Sequence, residues 1–233
     1  MRLIPYRSRR LGRGVVALLA AGTTAIVGAP PASAALPRAL GSAYGYYASV
    51  SLFGGPAMAQ GPFVTVTLPV AGSTTPITAS APMGSVTYGP AMLFVSDAVD
   101  VSTEGASGAA ASSASLQTVS NSPFSADSIQ SVCNANKVAP TGGATITNGV
   151  VVTSTDVDGN PTSMMAVPTD PPVGFTIKGT LKLSATDTEK FKWVFNEHTT
   201  KANGSLEVNA AHEVLQGPTA RGNLILGQSI CRD

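Results

Sequence analysis

His198 and His212 are the only imidazoles in the chain, and each stands beside a glutamate, Glu197 and Glu213. Imidazole with carboxylate could ligate a metal or move a proton. The spacing argues against both. Neighbours on a strand point to opposite faces, so neither His shares a face with its own Glu. No H-x-H or H-E-x-x-H spacing occurs. His212 falls in a row with Leu206, Val208, Ala210 and Val214, which reads as an apolar strand face with a core histidine on it. No metal and no cofactor is implied.

The remaining chemistry-bearing residues are few. Asp156-Val157-Asp158-Gly159-Asn160 opens like a calcium loop, but Gly159 is its fourth residue and Val167 stands where the bidentate Glu belongs. The same residues make good hairpin-turn chemistry between Val150–Thr155 and 162–167. Serine is abundant, yet there is no G-x-S-x-G elbow and no phosphate-cradling glycine motif. The chain therefore reads as non-catalytic. Phe191, Trp193 and Phe195 alternate along one strand. Such a row is the core face of a sheet or, as the alternative, an exposed platform on which a sugar or other ligand could stack.

Around these residues the chain is built for export. Arg2, Arg7, Arg9, Arg10 and Arg13 precede an apolar run from Gly14 to Ala29, and Ala32 and Ala34 fit the small-residue rule for cleavage before Ala35. The apolar run is shorter than the roughly 20 residues a spanning helix needs. We expect a signal peptide at 1–34 and one secreted domain at 35–233, without a membrane segment. Neither a lipoprotein cysteine nor a sortase signal is read, since Leu68-Pro69-Val70-Ala71-Gly72 has Ala in place of Thr. Without its five N-terminal arginines the chain keeps nine Lys and Arg against 13 Asp and Glu, a net charge of −4. A mildly acidic domain offers no electrostatic footprint for nucleic acid. Partners in the cell envelope or the medium are expected. In an oxidising compartment Cys133 and Cys231, the only cysteines, read as one disulfide.

The elements that must carry these residues are strands. Tyr44, Tyr46, Ala48, Val50 and Leu52 alternate, as do Val64, Val66 and Leu68, and then Phe175, Ile177, Leu181 and Leu183. Residues 69–90 read as a long hairpin, and the Ala/Ser/Gly stretch 105–113 as a flexible surface loop. The segment 224–231 is apolar on both faces, as a central strand requires. Closely spaced strands with Gly and Pro turns and no helical periodicity predict an all-β chain, an antiparallel β-sandwich.

The C-terminal half also carries a pattern: SADSIQSVCNA, TGGATITNGV, VFNEH, GSLEVNAAHEVL and a final LILGQSIC. It is similar to the exported choice-of-anchor P family of high-GC Gram-positive bacteria, from about Ala43 to Cys231. That resemblance implies a secreted or surface β-domain with no attached enzymatic activity; export, the single disulfide and the lack of recognisable reaction chemistry point to a structural or adhesive role. The resemblance also implies that Asn196, Glu197, Asn209 and His212 mark either a binding site or a set of buried polar braces.

Overall fold

Fifteen β-strands and no helix make up the described residues of the computed structural model, 39–89, 91–182 and 187–233. The expected signal peptide at 1–34 and Leu183, expected to share a face with Phe175, Ile177 and Leu181, lie outside them. The strands are β1 Leu40–Ser51, β2 Met58–Thr67, β3 Ser73–Ala81, β4 Gly84–Tyr88 and β5 Ala91–Ser96. Next come β6 Val99–Ala106, β7 Ala109–Ser120, β8 Phe124–Asn136, β9 Thr141–Thr147 and β10 Val150–Thr155. The last five are β11 Pro161–Ala166, β12 Phe175–Lys182, β13 Thr188–Thr200, β14 Leu206–Gln216 and β15 Arg221–Arg232.

The all-β expectation holds. The strands join into one hydrogen-bonded sheet in the order β2-β1-β15-β14-β13-β12-β10-β8-β7-β5-β4, where the sandwich expectation describes two sheets. β6 adds to β7, β3 to β6, β9 to β8 and β11 to β10. All pairings are antiparallel except one parallel bridge, Ser154 to Thr180, between β10 and β12. The sheet folds over itself, so that β15 packs on β7 and β8, β1 on β6 and β7, and β14 on β8 and β9. Its two ends nearly meet: Tyr46 Oη of β1 and Gln60 Nε2 of β2 both donate to the Ser85 carbonyl of β4, at 2.8 and 3.3 Å. β15 runs between β14 and β1, the central place its two-sided apolarity calls for.

A crease crosses this sheet. Phe195 pairs with Ala211 and Glu197 with Asn209; Asn209 pairs with Gln228 and Ala211 with Leu226. Gln228 pairs with Tyr44 and Leu226 with Tyr46, and these two pair in turn with Thr65 and Phe63. Asn196, Ala210, Gly227, Gly45 and Val64 therefore stand in one line across β13, β14, β15, β1 and β2. Every second member of that line is left-handed, with φ of +50° at Asn196, +63° at Gly227 and +51° at Val64. A shorter line of the same kind runs through Thr118 (φ +48°), Asp127 and Asn148 (φ +51°) on β7, β8 and the β9–β10 junction.

A left-handed residue breaks the period of two, so the face a strand buries changes there. On β15 the alternating buried row is Leu224 and Leu226 before the crease and Ser229 and Cys231 after it, with Gln228 buried beside the reversal. On β1 they are Ala43 and Gly45, then Tyr46, Ala48 and Val50. The neighbours change in step, so the ladder is kept although each strand's pleat reverses. Gly45 is required for space as well: a Cβ there would run into the Val99 side chain.

The crease divides the interior. One side holds the large core of Tyr46, Phe94, Phe124, Phe191, Trp193 and Phe195 with its aliphatic neighbours. The other holds a smaller, wholly non-aromatic cluster of Leu68, Ala110, Ala135, Leu206 and Val208 around the Cys133–Cys231 disulfide. That disulfide joins β8 to β15 with 5.6 Å between the Cα atoms, tying together two parts of the sheet that face each other.

Three expectations are corrected. Tyr44 does not share a face with Tyr46, because the pleat reverses at Gly45 between them. The Ala/Ser/Gly stretch 105–113 is not a loop but the β6–β7 hairpin, turning at Ser107 (φ +54°) and Gly108 (φ +82°). Two successive positive φ values suit the twist of a hairpin, and small side chains such as Ala110 and Ser112 let the layers approach closely. Residues 69–90 are not a hairpin either: β3 pairs with β6, and β4 with β5.

Candidate functional site

Two places on the sheet gather polar side chains, one over the crease and one at the end of the large core. Over the crease, Glu197, Asn209, Gln228 and Tyr44 stand directly opposite one another on four adjacent strands. Hydrogen bonds follow this row. Gln228 Nε2 donates to Asn209 Oδ1 at 2.8 Å, and Asn209 Nδ2 donates to Glu197 Oε2 at 2.8 Å. His212, on the far side of the crease, also reaches Glu197 Oε2, with Nδ1 at 2.8 Å, while its Nε2 lies 2.9 Å from Asn223 Oδ1. The pleat reversal makes this possible, since it puts Asn209 and His212 on the same outer face although they are three residues apart.

Sequence spacing had set His212 on an apolar face with Leu206, Val208 and Ala210; the reversal at Ala210 and Ala211 overturns that. Glu213 takes the inward position instead. The charges answer to these contacts. Burial works against a charged His212, yet its bonds to Glu197 and Asn223 prevail and raise its pKa above the usual imidazole value. The His212 bond holds the Glu197 pKa below the ordinary carboxylate value despite partial burial. Both ring nitrogens of His212 face oxygen acceptors, the arrangement of an imidazolium ion.

Asn196 provides the left-handed turn of β13, a conformation that Asn tolerates better than most residues. Its Nδ2 donates to the Pro171 carbonyl at 2.8 Å, and its Oδ1 lies 2.9 Å from His198 Nε2. The two histidines are thus separate, each with its own partner. Among the described residues no three His, Cys, Asp or Glu side chains come together as a metal-binding group.

Trp193 has no exposed surface, and Phe195 none either. The Trp193 ring lies 4.8 Å from that of Phe124 and 5.8 Å from that of Phe195. The row is core, which removes the exposed stacking platform: neither Trp193 nor Phe195 has a ring face at the surface. The Asp156–Asn160 segment is a turn between β10 and β11. Asp156 Oδ1 accepts from the Asp158 and Asn160 amides at 3.0 and 2.8 Å.

The second place escaped sequence reasoning. At the end of the large core a cavity of about 240 Å³ opens between the edges of β1, β5, β13, β14 and β15. Its wall is apolar, formed by Ala48, Leu52, Leu93, Phe191, Leu215 and Leu224. Polar side chains interrupt it, among them Asn121, Glu213, Glu189, Thr219 and Lys190. Glu213, 3% exposed, accepts a hydrogen bond from Asn121 Nδ2 at 3.0 Å, and Asn121 Oδ1 is buried without a protein partner. Burial pushes the Glu213 carboxyl up to about 8 against the weaker opposing pull of the Asn121 bond. Glu189 braces the rim, accepting from the Thr219 amide at 3.0 Å, the Ala220 amide at 3.2 Å and the Thr219 hydroxyl. Phe53, 72% exposed, stands at the mouth. Glu213 could have been found from Ala211 and Leu215, which frame it in a two-residue apolar period, had the pleat reversal been legible. Asn121, in a Ser-Asn-Ser-Pro turn, carries no such signal.

Comparison of the chain with protein-family models, with curated proteins and with solved structures finds no match.

Proposed function

We propose that this chain is an exported, non-catalytic β-domain with a structural or adhesive role at or near the cell surface, akin to the choice-of-anchor P domains. In this reading the folded-over sheet acts as the two layers of a β-sandwich, with the Cys133–Cys231 disulfide as the rivet between layers. The observation that carries it is the closed network over the crease. Asn196, Glu197, Asn209 and His212, the residues that mark the resemblance, spend their hydrogen bonds on one another, on His198, on Gln228, on Asn223 and on the Pro171 carbonyl. Groups so engaged brace a backbone reversal, and His212 keeps no free lone pair for a metal or a substrate proton. Partners in the cell envelope or the medium follow from the export signal.

Non-reduced intact mass of the protein from medium and envelope fractions tests the reading. A species beginning at Ala35, two hydrogens lighter than the reduced chain, is the expected result. A full-length reduced chain in the membrane fraction overturns it.

A further inference from the structure

The cavity at the end of the large core has the build of a binding site, and this inference is independent of the structural role above. Its walls are mainly apolar, and the one buried polar atom of its lining without a protein partner is Asn121 Oδ1, whose side chain is bonded to Glu213. Dry apolar volume above a wet polar tip is the shape of a site for an amphipathic small molecule. At about 240 Å³ it exceeds the roughly 150 Å³ that admits a single benzene and falls short of the roughly 300 Å³ at which drug-sized pockets begin. The occupant is therefore a short chain or a single substituted ring.

The polar tip defines the head group. Asn121 Nδ2 donates one hydrogen bond to Glu213 Oε2, while its buried Oδ1 is an acceptor in want of a donor. Glu213, kept protonated at neutral pH by its burial, offers an O–H in want of an acceptor. Donor and acceptor belong to two side chains joined by one hydrogen bond. A hydroxyl group answers both, giving its hydrogen to Asn121 Oδ1 and accepting from the Glu213 carboxyl. A carboxylate ligand would face a carboxyl group and an amide oxygen at the tip, and Lys190, the one cation of the lining, is an exposed residue. A cationic head would have to pass Lys190, which stands in the lining.

We infer that this cavity binds a small neutral apolar alcohol, held by its hydroxyl between Asn121 Oδ1 and the Glu213 carboxyl. The occupant enters past Phe53 and Met92, both exposed at the rim.

Two isomeric probes of equal volume test this: n-octanol, and heptyl methyl ether, which accepts a hydrogen bond but cannot donate one. Binding of each to the full chain is followed by ligand-observed NMR titration. The Leu93→Trp variant, whose larger side chain fills the cavity, subtracts uptake by other apolar segments. The expected result is saturable n-octanol binding at least about tenfold tighter than that of the ether, lost in Leu93→Trp. In Asn121→Ala, which removes the acceptor without filling the cavity, the preference shrinks to about twofold or less. Equal affinity for the two isomers in the unaltered chain overturns the inference. So does n-octanol binding that Leu93→Trp leaves intact, or no saturable binding, which would mean a site holding water alone.

Discussion

Glu197 and His212 meet across β13 and β14 at 2.8 Å, over the line where both strands reverse their pleat. Each partner's pKa moves toward the charged form. The Glu197 pKa is lowered from 4.5, so its contribution to stability is complete above that value and is lost as pH falls through the depressed one. The His212 pKa is raised from 6.5, so its contribution is complete below 6.5 and is lost as pH rises through the elevated one. The pair therefore works best between about 4.5 and 6.5. A double-mutant cycle with Glu197→Gln and His212→Gln, read by urea unfolding, should give a coupling of about 0.5–1.5 kcal/mol in that window, shrinking on either side of it.

Glu213 should impose a second pH dependence of opposite origin. Its folded pKa of about 8 lies above the ordinary 4.5, so the unfolded chain releases its proton first. Stability is full below pH 4.5, falls as pH rises toward 8, and levels off beyond. Glu213→Gln, which keeps the shape and removes the titration, should flatten that decline in melting temperature across the same interval.

Asn196 separates backbone from side chain. Asn196→Gly keeps the left-handed turn but loses the bonds to the Pro171 carbonyl and His198. Asn196→Ala loses the bonds and strains the turn. Chemical denaturation should find the alanine variant weaker than the glycine variant by about 1 kcal/mol, the cost of left-handed backbone with a Cβ.

Reduction of Cys133–Cys231 should lower stability by up to about 4–5 kcal/mol in the chain-entropy account, because it opens a loop with a sequence separation of 98. The Cys133→Ala/Cys231→Ala double variant should show the same loss and no further response to reductant.

Trp193 fluorescence should resist iodide in the native chain and become accessible only on unfolding, since the indole has no exposed surface. Trp193→Ala should cost about 3–5 kcal/mol through the void left between Phe124 and Phe195.

How far the sequence reaches is clear from particular strands. The Phe191–Trp193–Phe195 row kept its period of two up to the crease and was readable as core. So was the two-sided apolarity of β15, and so was the Asp156–Asn160 turn, whose chemistry is local. The face of Tyr44 and of His212 was not readable. Periodicity assumes an unbroken extended backbone, and nothing in the local sequence YGYY or NAAH announces a reversal that several strands make together. The 105–113 stretch misled for a different reason: Ala and Ser are poor strand formers alone, and only close packing between layers makes them suitable. The cavity depends on Asn121 and Glu213, 92 residues apart, meeting in space.

The crease also bears on how this chain can change over generations. Because its members stand in register across five strands, a single-residue insertion or deletion within β1, β13, β14 or β15 would set half of that strand out of phase with its neighbours. The buried half would turn outward and the polar half inward. Length variation is thus confined to the turns between strands. Distances along the chain between the crease and each strand end should drift far less among descendants than the residues that fill them.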